Sequence, residues 1–547
     1  RSVRRPLLLA LGLGVWRSLA VLGRGGDVPL PLNASAGRSS AWRDSTRFLE
    51  VRYTASMQPV VNVSVGGQWL NLVFDASSGN TIVFVREYNA CIPQSSQSCY
   101  SYKEAEERGS LLICAENNKE EYQCNTLRDP KYVCDKYLPS PQYVKKPHHD
   151  ALIIDGLEYR QESIEAKDDT ELRLTGNGSL VFRETGMPIR LLVKAMTIAT
   201  QHAGISLELF EGADGILGCS GPTLSCRNQT LWHALLQKLQ VSLFALDFHA
   251  PANAVISDPG QSRIAFNEIS PARAQDITWS QPKQTGNAIN DGMHEFLVYH
   301  PEVCNVDLLY NTSSNWLTVI DTSGPCLTLP PFLFDSLMTR IPVTCPFAAG
   351  EASQGRLCSP DRNFTGAPNV TLPPLYFQLA DTQEPMPPRL HLLLERLVFR
   401  NATGSELLCV GRDDSDAQRA TADMMYSHIA FGSLAVAAVY TVVNLENNTI
   451  GLSPKGDVIM ESTEEYCTPS ITCVSPMQTY YPPRNICEDP NCAEYMFMTL
   501  DHRTKTCKWM SVLPISFGVL LAALVAFDLI SHRLYKQAIE KAREFCQ

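Results

Sequence analysis

The sequence predicts an all-β, two-lobed domain that is followed by a cysteine-rich segment and one membrane-spanning helix. Two similar phrases, Trp69–Gly79 and Trp316–Gly324, predict the two lobes. Each phrase runs from apolar, strand-forming residues into an aspartate and then into small turn-forming residues. The stretch Trp509–Phe527 predicts the helix, because 19 residues without a charge reach about 28 Å at the helical rise of 1.5 Å per residue.

The composition is that of a globular protein with more than one compact unit. The chain has 547 residues, of which 44% are hydrophobic and 19% are charged. Its net charge of -11 and the lack of a basic stripe argue against a nucleic-acid partner. The cysteines and histidines do not follow the spacing of zinc sites, so the sequence predicts neither a metal nor another cofactor.

The aspartates within the two phrases, Asp75 and Asp321, are the candidate catalytic residues. A buried strand that ends in a carboxylate needs a reason to carry that charge. Two carboxylates held close together do not ionise at the same pH, so one can act as a base and the other as an acid on a water molecule. For either aspartate alone, the simpler interpretation is a cap on a turn.

Further phrases accompany the aspartates. Asp214–Gly218 and Ile429–Gly432 are apolar runs that end in glycine, and Val439–Leu452 closes the domain. Over about residues 59–455, the chain resembles the pepsin-like aspartic proteases. Each lobe of that family carries a hydrophobic-hydrophobic-Asp-Thr-Gly turn followed by a hydrophobic-hydrophobic-Gly strand. The resemblance implies an all-β, bilobal pepsin-like fold in which the two aspartates are the catalytic pair of an active member.

The two turns depart from the family pattern. The family has Asp-Thr-Gly or Asp-Ser-Gly, whereas this chain has Asp-Ala-Ser and Asp-Thr-Ser. Ser77 and Ser323 therefore place side chains where the family's glycines let the turns approach. Ala76 lacks the hydroxyl that locks the turns together in the family, although Thr322 retains it. In the stretch that matches the family's flap hairpin, Thr175 replaces the usual tyrosine.

These departures imply a pepsin-like fold that has lost proteolysis and serves as a binding or assembly module, as a subunit of a membrane-surface complex. The alternative is an atypical membrane-anchored aspartic endopeptidase that processes secretory or cell-surface proteins, because Asp75 and Asp321 are intact. A glycan on Asn177, at the turn of the flap hairpin, would favour the first hypothesis, because it would hinder a peptide from lying beneath the flap.

Several features indicate the secretory pathway. The chain has 18 cysteines, a number that persists in oxidising compartments. Residues 1–26 are apolar and rich in arginine, as in a secretory signal peptide, although an acid-poor, arginine-rich start also fits a mitochondrial presequence. Nine Asn-X-Ser/Thr sequons favour secretion, and they begin at Asn33, Asn62, Asn177, Asn228, Asn311, Asn363, Asn369, Asn401 and Asn447.

The cysteines predict structural disulfides. Five lie in a polar insertion, about residues 87–165, which resembles the cysteine-rich insertion of some plant and protozoan members of the family. Cys219 and Cys226 are close enough to close a small loop. Cys358 and Cys409 occupy places that resemble the family's second-lobe disulfide. Five more follow the second lobe, so one of these pairs elsewhere or stays free.

The end of the chain predicts a type I membrane protein. A basic tail follows the span, and all nine sequons precede it, which places the ectodomain in the lumen or outside the cell. Asp528 either lies solvated in the headgroup region or pairs with a partner's helix inside the membrane. Cys546 is either a free cytosolic thiol or a palmitoylation site.

The predicted organisation has six parts. These are a signal peptide-like segment (1–26), an N-terminal lobe (45–275) that contains the insertion, a C-terminal lobe (276–456), a cysteine-rich juxtamembrane stalk (457–508), a transmembrane helix (509–530) and a cytosolic tail (531–547). The predicted partners are the lipid bilayer and a protein on the lumenal or extracellular side or within the membrane. The predicted location is a membrane of the secretory pathway or the cell surface.

Overall fold

The computed structural model describes residues 47–88, 99–113, 148–154, 157–176, 179–198, 210–222, 229–250, 262–283, 292–309, 313–347, 356–363, 370–380, 388–401, 403–413, 428–456, 467–468, 471–481, 485–494, 498–510 and 512–545. The predicted signal segment, most of the cysteine-rich insertion and Cys546 lie outside this part of the chain. We name residues 47–266 the amino-terminal segment, 278–456 the carboxy-terminal segment and 467–510 the stalk.

The described chain is mostly β, as the sequence predicts, with short helices and one long carboxy-terminal helix. The amino-terminal segment contains β1 (Arg47–Glu50), β2 (Arg52–Tyr53), β3 (Pro59–Val65), β4 (Gln68–Asp75), β5 (Thr81–Phe84), α1 (Tyr102–Arg108), β6 (Leu112–Ile113), β7 (His148–Ile154), β8 (Leu157–Gly176), β9 (Leu180–Ile198), β10 (Gly215–Gly218), α2 (Leu231–Lys238), β11 (Leu243–Asp247) and β12 (Arg263–Phe266). The carboxy-terminal segment contains β13 (Thr278–Trp279), β14 (Glu295–Val303), β15 (Val306–Asp307), β16 (Asn315–Ile320), β17 (Leu327–Leu329), α3 (Pro331–Met338), β18 (Val343–Thr344), β19 (Ser359–Pro360), β20 (Leu375–Gln378), β21 (Leu390–Leu392), β22 (Val398–Arg400), β23 (Glu406–Leu408), β24 (Val410–Arg412), β25 (Ile429–Phe431), α4 (Ser433–Ala438), β26 (Val439–Asn444) and β27 (Thr449–Pro454). The stalk and the end of the chain contain β28 (Thr479–Tyr481), β29 (Ile486–Glu488), β30 (Met498–Asp501), β31 (Thr506–Trp509) and α5 (Val512–Phe545).

Most of the described strands belong to two sheets. The larger has the order β13-β27-β26-β11-β12-β1-β8-β9-β5-β10-β4-β3-β2, with β6 and β7 on β8. The smaller has the order β21-β20-β14-β16-β25-β17-β24, with β15 on β14. The antiparallel pair β11–β26 joins the amino-terminal and carboxy-terminal segments within the larger sheet. The closing strand of the domain is therefore shared between the two segments.

The same local arrangement surrounds each aspartate. β4 pairs in parallel with β10, so Asp75 lies beside Gly218, and β16 pairs in parallel with β25. A Cβ added to Gly218 would lie 2.5 Å from the backbone nitrogen of Asn80. A Cβ added to Gly432 would lie 2.1 Å from the carbonyl oxygen of Cys326. Only glycine fits at either position, because Gly218 lies against the backbone that follows Asp75 and Gly432 lies against the backbone that follows Asp321.

Aromatic packing fixes the end of β4. Phe74, which precedes Asp75, is fully buried and packs edge-on against Trp232 and Phe248, with ring centroids 5.4 and 6.1 Å away. Trp232 is held in α2, whose first turn is capped by the Thr230 hydroxyl. The apolar run of β4 is thus buried on both faces, which positions the carboxylate that follows it.

Two disulfides differ from the prediction. Cys358 and Cys409 do not bond each other, since Cys358 pairs with Cys345 and Cys409 pairs with Cys326. The register of β17 on β24 places Leu327 opposite Val410, which sets Cys326 beside Cys409 with their Cα atoms 4.5 Å apart. The predicted pairing was wrong because this strand register cannot be read from the spacing of cysteines along the chain.

The stalk is fastened to the carboxy-terminal segment. Cys467 is the stalk cysteine that pairs outside the stalk, and its partner is Cys304. The side chain of Arg340 donates to the hydroxyl of Tyr480 at 2.7 Å, and its carbonyl oxygen accepts from the backbone of Thr468 at 2.8 Å. The remaining stalk disulfides are Cys473–Cys487 and Cys492–Cys507.

The carboxy-terminal helix begins later than the sequence predicts. Trp509 is the last residue of β31, where it pairs with Met498, and α5 starts at Val512. Within α5, Ile515–Glu544 is long and apolar enough to cross a membrane, and it is the one helix of the described chain with this property. Its side chains are exposed rather than packed on the rest of the protein, which suggests association with a membrane.

Candidate active site

Asp75 and Asp321 lie within reach of a single oxygen atom. The hydroxyl oxygen of Ser77 is 2.8 Å from Oδ1 of Asp75 and 3.1 Å from Oδ1 of Asp321. These two carboxylate oxygens are therefore at most about 6 Å apart. Both aspartates are buried, with exposed fractions of 0% and 8%. The fold thus brings the two candidate catalytic residues together, although they come from different sheets.

The hydroxyl of Thr322 holds the two aspartate turns together. It accepts a hydrogen bond from the backbone N–H of Ala76 at 3.0 Å and donates one to the carbonyl oxygen of Phe74. Ala76 has no hydroxyl, so it cannot make the equivalent pair of bonds in the opposite direction. The expectation that Thr322 can still make its half of the lock is confirmed.

Ser77 and Ser323, where the resemblance implies glycines, both bond to the carboxylates. Ser323 donates from its hydroxyl to Oδ1 of Asp321 at 2.7 Å. Ser77 places its backbone N–H 3.0 Å from Oδ1 of Asp75, in addition to the hydroxyl contacts with both aspartates. The sequence predicts that these side chains intrude near the carboxylates, and the structure places the Ser77 hydroxyl between them.

A hydroxyl has only one proton, which limits how the contacts of Ser77 can be made. Ser77 can donate to Asp75 or to Asp321, but not to both at once. The Ser77 hydroxyl therefore donates to one carboxylate oxygen at a time, while its oxygen stays within 3.1 Å of the other.

Sequence reasoning missed further contacts between the two segments at this site. The side-chain amide of Gln58, which is fully buried, donates to the carbonyl oxygen of Ser323. The hydroxyl of Ser433 donates to the carbonyl oxygen of Met57. Gln58 directly precedes β3, and a polar residue before an apolar strand is too common to signal such a role.

Cys219 is a free thiol, which corrects the prediction that it closes a small loop with Cys226. Cys226 lies outside the described residues. The backbone N–H of Cys219 donates to the carbonyl oxygen of Asp75 at 2.7 Å, and its thiol donates to the carbonyl oxygen of Leu217. Burial, and then the charge of Asp75, raises the pKa of the Cys219 thiol, so it is a poor nucleophile.

The stretch that the resemblance assigns to a flap lies in a hairpin of β8 and β9, with Leu174 opposite Leu180. The turn residues Asn177 and Gly178 lie outside the described chain, so the glycan prediction remains untested. Thr175 pairs with Phe48 of β1, and its hydroxyl lies 3.4 Å from the carboxylate of Glu50. The end of β8 is therefore bound to the first strand of the chain.

A cavity of about 350 Å³ lies behind the aspartate turns and is lined by residues of both segments, including Cys219, Trp232 and His294. His294 donates from Nε2 to the carbonyl oxygen of Cys219 at 3.2 Å. Burial lowers the pKa of His294 to about 4; the Cys219 carbonyl opposes this shift, and the charge of Lys283 adds to it. His294 is therefore neutral at neutral pH.

Four of the sequon asparagines lie in the described chain. Asn62, Asn363 and Asn447 are exposed, and Asn401 is half-buried. The side-chain oxygen of Asn401 accepts hydrogen bonds from the backbone and hydroxyl of Thr403, which is the hydroxyl residue of its own sequon. Attachment of glycans at the nine predicted positions stays a prediction.

The chain matches no protein-family model and no curated protein.

The site contains the parts needed to polarise a water molecule, but a side chain fills the central position. A water acted on by two carboxylates must hydrogen-bond to both of them. The Ser77 oxygen lies between one oxygen of each carboxylate, at 2.8 and 3.1 Å. A water molecule cannot occupy the same volume, since hydrogen-bonded oxygens approach no closer than about 2.5 Å.

Proposed function

We propose that this chain is a membrane-anchored glycoprotein with a pepsin-like ectodomain that binds or assembles with a protein partner and does not hydrolyse peptides. Support for the pepsin-like fold comes from the two aspartate-ended strands, each paired in parallel with a strand that leads into glycine. The hydroxyl bond of Thr322 across the two turns adds to this support.

One observation carries the proposed loss of activity. The hydroxyl of Ser77 contacts both carboxylates, at the position that a nucleophilic water would need. Ser77 is 97% buried, and its backbone N–H also bonds to Oδ1 of Asp75. In this proposal the serine hydroxyl takes the place of the water.

Peptide cleavage by the purified full-length protein in detergent tests this proposal. Between about pH 3 and pH 6, where a pair of carboxyl groups would work, we expect no cleavage that an aspartic-protease inhibitor such as pepstatin blocks. The Ser77→Gly variant should bind pepstatin more tightly than the wild type, seen as a larger rise in melting temperature, because glycine vacates the position between the carboxylates.

Ser78→Gly is the matched control, because Ser78 is the adjacent buried serine and its hydroxyl contacts the backbone of Asn80. This variant should bind pepstatin no better than the wild type. Wild-type cleavage that is abolished equally by Asp75→Asn and Asp321→Asn would overturn the proposal.

An aspartic endopeptidase is the second candidate function. It is favoured by one observation, namely that the two buried carboxylates are held close together by hydrogen bonds across the turns. In that case Asp75 and Asp321 would share one proton and activate a water that displaces the Ser77 hydroxyl. Crystals soaked with pepstatin would distinguish the two functions, since an active site must let the inhibitor's hydroxyl reach both carboxylates.

The binding role is tested by the size of the native particle. We expect the protein, solubilised from its own membrane in mild detergent, to migrate well above the mass of one glycosylated chain together with a defined partner. A monomer at every detergent concentration, without a stoichiometric partner by mass spectrometry, would contradict the role in assembly. This outcome is independent of the cleavage assay.

A further inference from the structure

Exposed apolar side chains are concentrated on the stalk. Outside α5, eight large apolar side chains of the described chain are exposed. Six of these lie on the stalk, and we name them the stalk patch: Ile471, Val474, Met477, Ile486, Trp509 and Met510. Val474 is 88% exposed and Trp509 is 61% exposed. Soluble domains seldom leave such a group uncovered, because apolar surface in water is unfavourable.

Covalent and hydrogen bonds hold the parts of the stalk patch together. The Cys473–Cys487 disulfide joins the chain beside Val474 to the chain beside Ile486. The thioether of Met477 accepts from the backbone N–H of Cys507, which links the first part of the stalk to β31. The stalk patch thus belongs to a cross-linked unit rather than to separate loops.

The stalk patch also adjoins the candidate membrane helix. Trp509 ends β31 and Val512 begins α5, and three residues of chain reach at most about 11 Å. Trp509 therefore lies close to the level at which the helix would enter the bilayer. Tryptophan favours that level, because its ring is apolar while its N–H can still bond to water or lipid headgroups.

We propose that the stalk patch rests in the interface of the lipid bilayer, so the stalk is a second membrane contact in addition to the helix. This inference depends on the proposed membrane span of α5. The lipid-facing surface is apolar rather than cationic, because the neighbouring lysines are already paired. Lys505 bonds to Asp489 at 2.7 Å, and Lys508 bonds to Asp501.

Apolar contact predicts a characteristic dependence on lipid and salt. Binding of a basic surface to anionic lipid weakens as salt screens the charges, whereas burial of apolar side chains does not. We therefore expect the stalk patch to contact zwitterionic phosphatidylcholine as well as phosphatidylserine, with less than a twofold change between 50 mM and 500 mM NaCl.

Photo-crosslinking of the full-length protein in nanodiscs tests the proposal. The probe is phosphatidylcholine with a diazirine near the glycerol end of its acyl chain, and adducts are mapped by mass spectrometry. We expect adducts on peptides that contain Val474 or Trp509 to exceed, by at least fivefold, those on the peptide that contains Val181. Val181 is the matched control because it is an exposed valine, 41% accessible, on β9 and outside the stalk.

A charged substitution gives the second measurement. Val474→Asp should reduce adducts on the stalk several-fold and leave adducts on α5 unchanged, and Val181→Asp should change neither. Because Val474 is almost fully exposed, its substitution is not expected to disturb folding.

The helix peptides separate failure of this inference from failure of the membrane span. Adducts on α5 with only background labelling at Val474 would overturn the lipid contact of the stalk alone. Absence of adducts on both would also refute the proposed span. Protection of Val474 that requires a co-purifying protein would assign the stalk patch to a protein interface and overturn the proposal.

Discussion

Replacing Thr322 with valine is expected to destabilise the contact between the two aspartate turns, whereas the same replacement at Thr318 is not. Both threonines are fully buried and belong to the same stretch of chain. The hydroxyl of Thr322 bonds to the backbone of both Ala76 and Phe74. The hydroxyl of Thr318 has no hydrogen-bond partner within the described part of the protein.

The expected magnitude follows from the groups that lose their partners. Valine at position 322 leaves the N–H of Ala76 and the carbonyl of Phe74 buried and unsatisfied, at about 1–3 kcal/mol each. The added methyl group returns roughly 0.8 kcal/mol. We therefore expect a loss of about 1–5 kcal/mol at position 322. At position 318 we expect no loss and a gain of up to about 1 kcal/mol, since valine and threonine are both β-branched.

Hydrogen exchange and urea unfolding measure the two effects. Exchange of the Ala76 amide should accelerate in Thr322→Val, because that amide loses its acceptor, and should be unchanged in Thr318→Val. The urea midpoint should fall in the first variant only. If both variants unfold at the same urea concentration and the Ala76 amide exchanges at an unchanged rate, the hydroxyl of Thr322 does not connect the turns.

Three further predictions concern acid stability and the stalk. Burial raises the pKa of Asp247, but His249 and Lys455 outweigh this effect and hold the pKa well below its usual value. The resulting contribution to stability is present above about pH 3.9 and is lost as the pH falls further. Asp247→Asn should therefore flatten the decline in stability that urea unfolding measures at acidic pH. The pKa of His294 is lowered to about 4, whereas an unfolded histidine has a pKa of about 6.5. Stability should therefore fall as the pH decreases from about 6.5 towards 4. A His294→Gln variant with the same pH profile of stability as the wild type would contradict this. We also expect a protease to cut the chain without releasing the ectodomain from the membrane when its recognition site is inserted between residues 458 and 464. The Cys304–Cys467 disulfide spans this cut, so release should require a reductant. Release without a reductant would exclude this disulfide.

The sequence predicts the elements around the aspartates because their signals are local. The apolar runs before Asp75 and Asp321 form β4 and β16, and the glycine-ended phrases form the strands beside them. The hydroxyl of Thr322 was also predictable as a lock, once the two turns were taken to face each other. Each of these features depends on a short stretch of chain with a clear pattern.

Features that depend on register or distance could not be predicted in the same way. The sequence indicates that Ser77 crowds the carboxylates, but contact of its hydroxyl with Asp321 depends on two turns that lie far apart in the sequence. The partners of Cys358 and Cys409 depend on which strands are neighbours. Trp509 begins an uncharged stretch that is typical of a membrane span, yet it pairs with Met498 and therefore belongs to a strand.

In the proposed membrane-anchored arrangement, the fastening of the stalk would limit the height of the aspartate turns above the bilayer. A receptor on a free polypeptide tether samples a range of heights and tilts, and its effective concentration is spread over that volume. Here the path from the helix to the carboxy-terminal segment passes through cross-linked hairpins and the Cys304–Cys467 bond. If the proposed span and the proposed binding role are correct, a protein partner would have to present its contact surface within a narrow range of distances from the membrane. A protein with a complementary surface at a different distance from the membrane would then be unable to bind.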